Sequence, residues 1–174
     1  ANAGQIGSVG DADAIAIASN GVVTFSQIPV MPANSIDSDE YIDGSIDKEH
    51  LSPGAKTEVI AIACGDETTA TAAATAVVTF HMPYAFTLTG VKAGVTTAPV
   101  GSVLTVDINE AGSTILSTKI TIDASEKTSG TAATAAVISD TALAADALMT
   151  IDVDGVGSST AGAGLKVYLI GHVT

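Results

Sequence analysis

The feature that most constrains the fold is an alternation of apolar and polar residues along residues 104–123. Apolar side chains occupy every second position in residues 104–109, and the alternation resumes in residues 116–123. A repeat of two residues is that of a β-strand with one buried face. Because Ala111-Gly112-Ser113 provides a turn between the two runs, we predict a β-hairpin here.

Similar short runs recur through the second two-thirds of the chain. They predict strands at residues 59–64, 76–80, 86–89, 104–109, 116–122, 137–139, 149–153 and 165–170. Eight short strands with turn signals between them predict an all-β domain, a β-sandwich or jelly roll. The composition agrees, since aromatic residues are 3% of the chain and small or β-branched residues dominate. Residues 140–147, rich in alanine, favour a brief helix that leaves this class unchanged.

The N-terminal third has a different character. Asn20-Gly21 lies between two β-prone runs and predicts a hairpin with a type I′ turn. Two prolines and an acidic stretch over residues 34–50 follow, in which Asp47 is predicted to cap one helical turn that residues 52–54 end. We therefore interpret residues 1–55 as an extended N-terminal arm containing a hairpin, and residues 56–174 as the jelly-roll domain.

The charge of the chain excludes several classes of function. Six lysines, no arginine and 19 acidic residues give a net charge of −13. Binding to nucleic acid or to an anionic membrane needs clustered positive charge, so neither is expected. The N-terminus has no recognisable signal peptide and no run is long enough to span a bilayer, so we expect a soluble protein that folds in a reducing cytoplasm.

No catalytic constellation stands out. His50, His81 and His172 are not paired at the spacing of metal ligands. Cys64 is the only cysteine and lies in an apolar run that predicts a buried strand residue, not a nucleophile. The glycine-rich residues 155–164 lack the lysine of a phosphate loop and are interpreted as a flexible loop between strands. We predict no catalytic, cofactor-binding or metal-binding residues, no cofactor, and no enzymatic activity.

Two groups of carboxylates are the exceptions to consider. Asp37, Asp39 and Asp43 have part of the spacing of a calcium loop, but apolar and aromatic residues stand where a ligand and the turn glycine belong. Asp152 and Asp154 alternate on a predicted strand, so both carboxylates are expected on its solvent face. Whether either group binds an ion is left open by the sequence.

Several segments together resemble a known class of domain. They are residues 81–89, 106–119, 137–140 and 162–167, together with residues 35–47 of the arm. These segments resemble a β-domain that recurs in structural proteins of tailed bacteriophages, preceded by a segment often found ahead of such domains. The resemblance implies a trimer-forming jelly roll on an anchoring arm, found in capsid decoration (cement) proteins and in fibres. Because this chain is short and has no repetitive shaft, the decoration protein is favoured.

That resemblance gives a concrete expectation. The chain would form a homotrimer, bind the major capsid protein on the outside of the virion after assembly in the host cytoplasm, and stabilise the shell. One alternative is a receptor-binding module of a tail or head fibre, disfavoured because Tyr41, Tyr84 and Tyr168 are dispersed and tryptophan is absent. A second is a β-sandwich hydrolase using Asp152 and Asp154, disfavoured because no partner group for acid–base catalysis is evident.

Overall fold

A computed structural model describes residues 4–27, Ile46 and residues 50–174 of the chain. Its regular structure consists of antiparallel β-strands and short 3-10 turns, so the predicted all-β class is confirmed. The chain divides into two compact units, Ala1–Asp47 and Lys48–Thr174. The division at residue 55 into arm and domain stays a prediction, and the two units are described separately.

The N-terminal unit contains a three-stranded antiparallel sheet in the order β1-β2-β3. Its strands are β1 (Gly4–Ser8), β2 (Asp11–Ile17) and β3 (Val23–Phe25). The predicted hairpin is confirmed, because β2 and β3 pair on either side of Asn20-Gly21. Strand β1 was not predicted, since glycines interrupt its apolar pattern.

The turn of this hairpin differs from the predicted type I′. The Gly21 amide donates to the Ala18 carbonyl at 2.9 Å, and the Ala18 amide donates to the Val22 carbonyl at 2.8 Å. Only Gly21, with a φ of 88°, is left-handed, whereas a type I′ turn requires a positive φ at Asn20 as well. The loop is therefore a tight turn followed by a left-handed glycine, a geometry common in three-residue hairpin loops.

The second unit is a jelly roll. Its strands are β4 (Glu58–Ala63), β5 (Ala74–His81), β6 (Phe86–Gly94), β7 (Leu104–Glu110), β8 (Ser113–Thr114), β9 (Leu116–Thr118), β10 (Ile120–Ile122), β11 (Val137–Ile138), β12 (Ala142–Leu143), β13 (Leu148–Gly155) and β14 (Lys166–Val173). One sheet has the order β4-β14-β6-β12 and the other β5-β13-β7-β10. If these eight strands are numbered 1 to 8 in chain order, the first sheet has the order 1-8-3-6 and the second sheet has the order 2-7-4-5. Two antiparallel sheets built in this way form the jelly roll that the sequence predicted.

The core fills the space between the two sheets. Alternate residues of β7 and β14, such as Val106 and Leu169, are fully buried and belong to one apolar cluster. This is the alternation that the sequence shows. Each fully buried aliphatic side chain contributes about 1.5–3 kcal/mol relative to an exposed one, so the second unit has a core of its own.

The predicted hairpin of residues 104–122 is confirmed for residues 104–106 and 120–122, which pair, and is wrong for residues 116–118. Strand β10 pairs with β7, with Ile120 opposite Val106. Between them, β9 leaves β7 and pairs with β11 in a separate two-stranded ribbon. The consecutive residues Ile115 and Leu116 are both buried, so the alternation breaks there and the return strand is interrupted.

The brief helix predicted in residues 140–147 is wrong. Strand β12 occupies this position and pairs with β6, with Leu143 opposite Phe86. Leu143 is only 2% exposed, and its burial outweighs the helical preference of the alanines around it. Residues 137–139, predicted as a main strand, contribute instead to the β9–β11 ribbon.

The helical turn predicted from Asp47 through Leu51 lies mostly outside the described residues, and His50 has 3-10 conformation. A separate 3-10 turn, which was not predicted, covers Pro53–Lys56 and begins with proline and glycine. Proline suits the first helical position because its missing N–H has no helical partner there. Asp47, the predicted cap, lies outside the described residues.

The apolar run of residues 59–64 forms a strand, but not a fully buried one. Strand β4 is at the edge of its sheet, where Val59 is 56% exposed while Ile62 is buried. Cys64 follows the strand, is half-buried and packs against the core. Its burial raises the pKa of the thiol to about 11.

The glycine-rich residues 155–164 include the predicted loop between strands, yet this loop is packed. Backbone hydrogen bonds hold it, from the Val100 amide to the Thr160 carbonyl and from the Thr71 amide to the Gly162 carbonyl. A Cβ at Gly157 would lie 1.9 Å from the Thr160 carbonyl oxygen, so close packing explains that glycine.

Candidate functional site

The surface that most needs an explanation is one side of the N-terminal sheet. Ile6 pairs with Ile15 across β1 and β2, and Ile15 pairs with Phe25 across β2 and β3. Ile17 pairs with Val23 one step further along. Directly opposed residues of antiparallel strands lie on the same face, as do residues two apart on one strand. These five residues therefore form one continuous surface, here named the apolar face.

The apolar face is open to solvent. Ile6 is 60% exposed, Val23 49%, Phe25 46% and Ile17 37%, and Ile15 is half-buried. None of the side chains described within residues 4–27 is buried. Three short strands are about the smallest sheet that is stable in water, and such a sheet gains stability when its hydrophobic face is covered. A contiguous exposed apolar surface of this kind marks a site of contact with another macromolecule.

The other side of the same sheet is less apolar. Ala16 and Thr24 oppose each other there. At the edge, the Ser26 hydroxyl donates to the Asp11 carboxylate at 2.7 Å, and the Ser26 amide donates to the Ala14 carbonyl at 3.0 Å. These hydrogen bonds hold β3 against β2, so the apolar face is presented by an ordered strand pair.

Asp152, one of the two carboxylates singled out in the sequence, has a structural contact. Its carboxylate accepts a hydrogen bond of 2.7 Å from the Ala76 amide. Ala76 has a φ of 51°, in the left-handed region that a residue with a Cβ rarely adopts, and the β5–β13 register shifts nearby. Asp152 thus stabilises a bulge in β5.

Asp154 belongs to an ion-pair cluster that sequence analysis missed. The Lys119 ammonium lies 2.6 Å from the Asp154 carboxylate and 3.0 Å from that of Asp107. Asp107 is only 5% exposed and also accepts a hydrogen bond of 2.5 Å from the Thr114 hydroxyl. Hydrogen bonds to Asp154 and then to Asp107 raise the pKa of Lys119. The available signal was that Asp107 and Lys119 fall on the polar faces of runs expected to pair.

The carboxylates therefore have structural partners. Within the described residues, no group of three His, Cys, Asp or Glu side chains is arranged to hold a metal ion. Asp37, Asp39 and Asp43 lie outside the described residues, so their ion binding stays an open question.

The histidines and tyrosines occupy separate elements. His81 ends β5, where its Nδ1 lies 2.8 Å from the Asp146 carbonyl oxygen, and His172 lies near the end of β14. The Tyr84 hydroxyl donates to the Glu58 carboxylate at 2.7 Å, and Tyr168 is half-buried on β14. The contact with Glu58 raises the pKa of Tyr84. Tyr41 and His50 were also considered from the sequence, and of these only His50 is among the described residues.

In the described part of the chain, no helix has the length and apolar character needed to cross a membrane. Comparison with known proteins finds no matching family model, no matching curated protein and no matching solved structure.

Proposed function

We propose that this chain is a structural protein of a tailed-bacteriophage virion, a capsid decoration protein that assembles as a trimer and attaches to the major capsid protein. The apolar face of the N-terminal sheet carries this proposal. It is an ordered, exposed surface without catalytic groups, so its use is contact with another protein.

The fold is compatible with this role. The jelly roll buries its own core between two sheets and needs no partner to do so. The N-terminal sheet has no such core among its described residues. A self-sufficient domain joined to a sheet that needs a partner is the arrangement expected of a protein that coats an assembled surface.

The mechanism is stabilisation by binding. A protein that binds the assembled shell, and not its dissociated subunits, stabilises the shell by mass action. Covering the exposed parts of the five side chains of the apolar face contributes about 5 kcal/mol per copy before the entropy cost of association. A trimer that anchors three such faces at once gains further through effective concentration.

The first test locates the protein in the virion. Immunogold electron microscopy of phage particles containing the chain should place label over the icosahedral shell. Label confined to the tail or to a fibre would contradict the decoration role and support the receptor-binding alternative.

The second test addresses the apolar face. Phe25→Asp should abolish binding to purified shells in a co-sedimentation assay, because it buries a charge in the contact. Thr24→Asp, which places the same charge on the other side of the same strand, is the matched control and should bind normally. Equal loss of binding in both variants, or normal binding by Phe25→Asp, would contradict the assignment of the face.

A further inference from the structure

A second surface lies on the jelly-roll unit, where Lys92, Lys127, Lys166 and Tyr168 line an open cleft of about 360 Å³, here named the lysine cleft. Thr128 also lines it and offers a hydroxyl group. The cleft combines positive charge, hydrogen-bond donors and one aromatic ring. This combination suits a carboxylate-rich polypeptide.

The strand pairing explains how the lysine cleft is built. Tyr168 on β14 is opposite Lys92 on β6, and Lys166 is opposite Gly94. The Val95 amide donates to the Lys127 carbonyl at 2.9 Å and holds the loop that carries the third lysine. A Cβ at Gly94 would contact both the Lys127 carbonyl oxygen and the Tyr168 ring, at 3.5 and 3.9 Å.

Some of the lysine charges in the cleft are not paired with a described carboxylate. Three of the six lysines in a chain of net charge −13 line this one cleft. Lys166 pairs with Glu67, whose pKa is lowered by hydrogen bonds from Lys166 and then from Thr96. Lys92 and Lys127 form no ion pair with any of the described residues.

The chain itself contains a complementary segment. Residues 35–49 include six acidic residues and one lysine. We propose that the lysine cleft binds this acidic segment of a second copy of the chain, and so links neighbouring copies. The inference rests on the proposed function, because it names the contact through which copies associate.

The proposed trimer favours a second copy as the source of this segment, because it places copies of the chain next to one another on the shell. A second copy can present all six carboxylates to the lysine cleft.

The test uses the full chain and a fluorescently labelled peptide of residues 34–50. The wild-type chain should bind the peptide, and the K92E/K127E variant should bind it at least about tenfold more weakly, because two attractions become repulsions. Lys56→Glu, which changes a lysine outside the cleft, is the matched control and should bind normally. A peptide in which Asp and Glu are replaced by Asn and Gln should not bind.

Equal affinity of K92E/K127E and the wild type, or binding of the amide peptide, would overturn the inference, provided that circular dichroism shows both chains folded. Sedimentation of the full chain separates the two sources of the segment. If the chain associates more as its concentration rises, and K92E/K127E associates less than the wild type, a second copy supplies the segment. If the wild type sediments as a monomer and does not bind the labelled peptide, the segment of the same copy occupies the cleft and that assignment is overturned. The location of immunogold label is independent of these results, so failure here leaves the decoration role standing.

Discussion

The N-terminal sheet and the jelly roll are built from the same kinds of strand and differ in what covers them. In both, apolar β-branched residues alternate with small or polar ones. In the jelly roll the apolar faces of two sheets meet, and Ile108 and Ile151, which are cross-strand partners, are fully buried. In the N-terminal sheet, Ile17 is paired in the same way but is 37% exposed. The comparison shows that alternation reports the geometry of a strand, while the partner of its apolar face must come from elsewhere.

The largest expected difference between the two regions is in stability. Ile151→Ala should lower the free energy of unfolding by about 4 kcal/mol, because it leaves a cavity between the sheets. Ile17→Ala, the same substitution on the apolar face, should lower it by less than about 0.5 kcal/mol in the free chain. Urea unfolding followed by circular dichroism measures both. Similar losses would show that the N-terminal sheet shares a core with other residues.

The reactivity of the Cys64 thiol measures how well the edge of the jelly roll beside β4 excludes solvent. Since burial raises its pKa to about 11, the folded chain at pH 8 should react with a thiol reagent about a hundredfold more slowly than the urea-unfolded chain. The release of thionitrobenzoate from Ellman's reagent measures the rate. Equal rates in the two states would mean that the edge beside β4 opens freely.

The Asp107–Lys119–Asp154 cluster should have a smaller effect. Lys119→Met should destabilise the chain by about 2 kcal/mol, because buried Asp107 loses its cation. Lys56→Met, in the 3-10 turn and away from the cluster, should change the free energy of unfolding much less and is the control. Thermal unfolding at pH 7 makes the comparison, and equal melting temperatures for all three proteins would contradict a structural role of the cluster.

The pH dependence of that cluster is the smallest effect expected. The pKa of Lys119 is raised in the folded state, so the stabilisation is complete below the ordinary lysine pKa of about 10.4 and is lost as the pH rises above it. The wild type should therefore lose more stability between pH 9 and 11 (about the range of lysine titration) than Lys119→Met. Urea unfolding at each pH measures the free energy of unfolding. If this free energy falls equally in the two proteins, the raised pKa of Lys119 does not contribute to stability.

The parts of the fold that the sequence predicted are those governed by local alternation. The pairing of β7 with β10 and the all-β class follow from the two-residue repeat, and the loop at Asn20-Gly21 from the conformational preference of glycine. The departure of β9 towards β11 was not predictable, because it depends on Ile115 being buried by residues distant in sequence. The same holds for β12, where an alanine-rich segment becomes a strand because Leu143 fits the core.

The candidate site was predicted only in outline. A hairpin in need of a partner was recognised, but the size of the apolar face was not, because β1 and the pairing of Ile6 with Ile15 arise from a glycine-rich segment with little strand preference. The structural contact of Asp152 was missed for a similar reason. It depends on the unusual backbone of Ala76, which no pattern in the sequence reveals.

Hydrogen exchange read by mass spectrometry, on the free chain and on the chain bound to phage shells, tests the central claim most directly. The account predicts that the amides of β1, β2 and β3 exchange quickly in the free chain and become protected on the shell, while those of β7 and β13 are protected in both states. The account would be contradicted if the amides of the N-terminal sheet exchange slowly in the free chain, or if their exchange does not slow when the chain binds the shell.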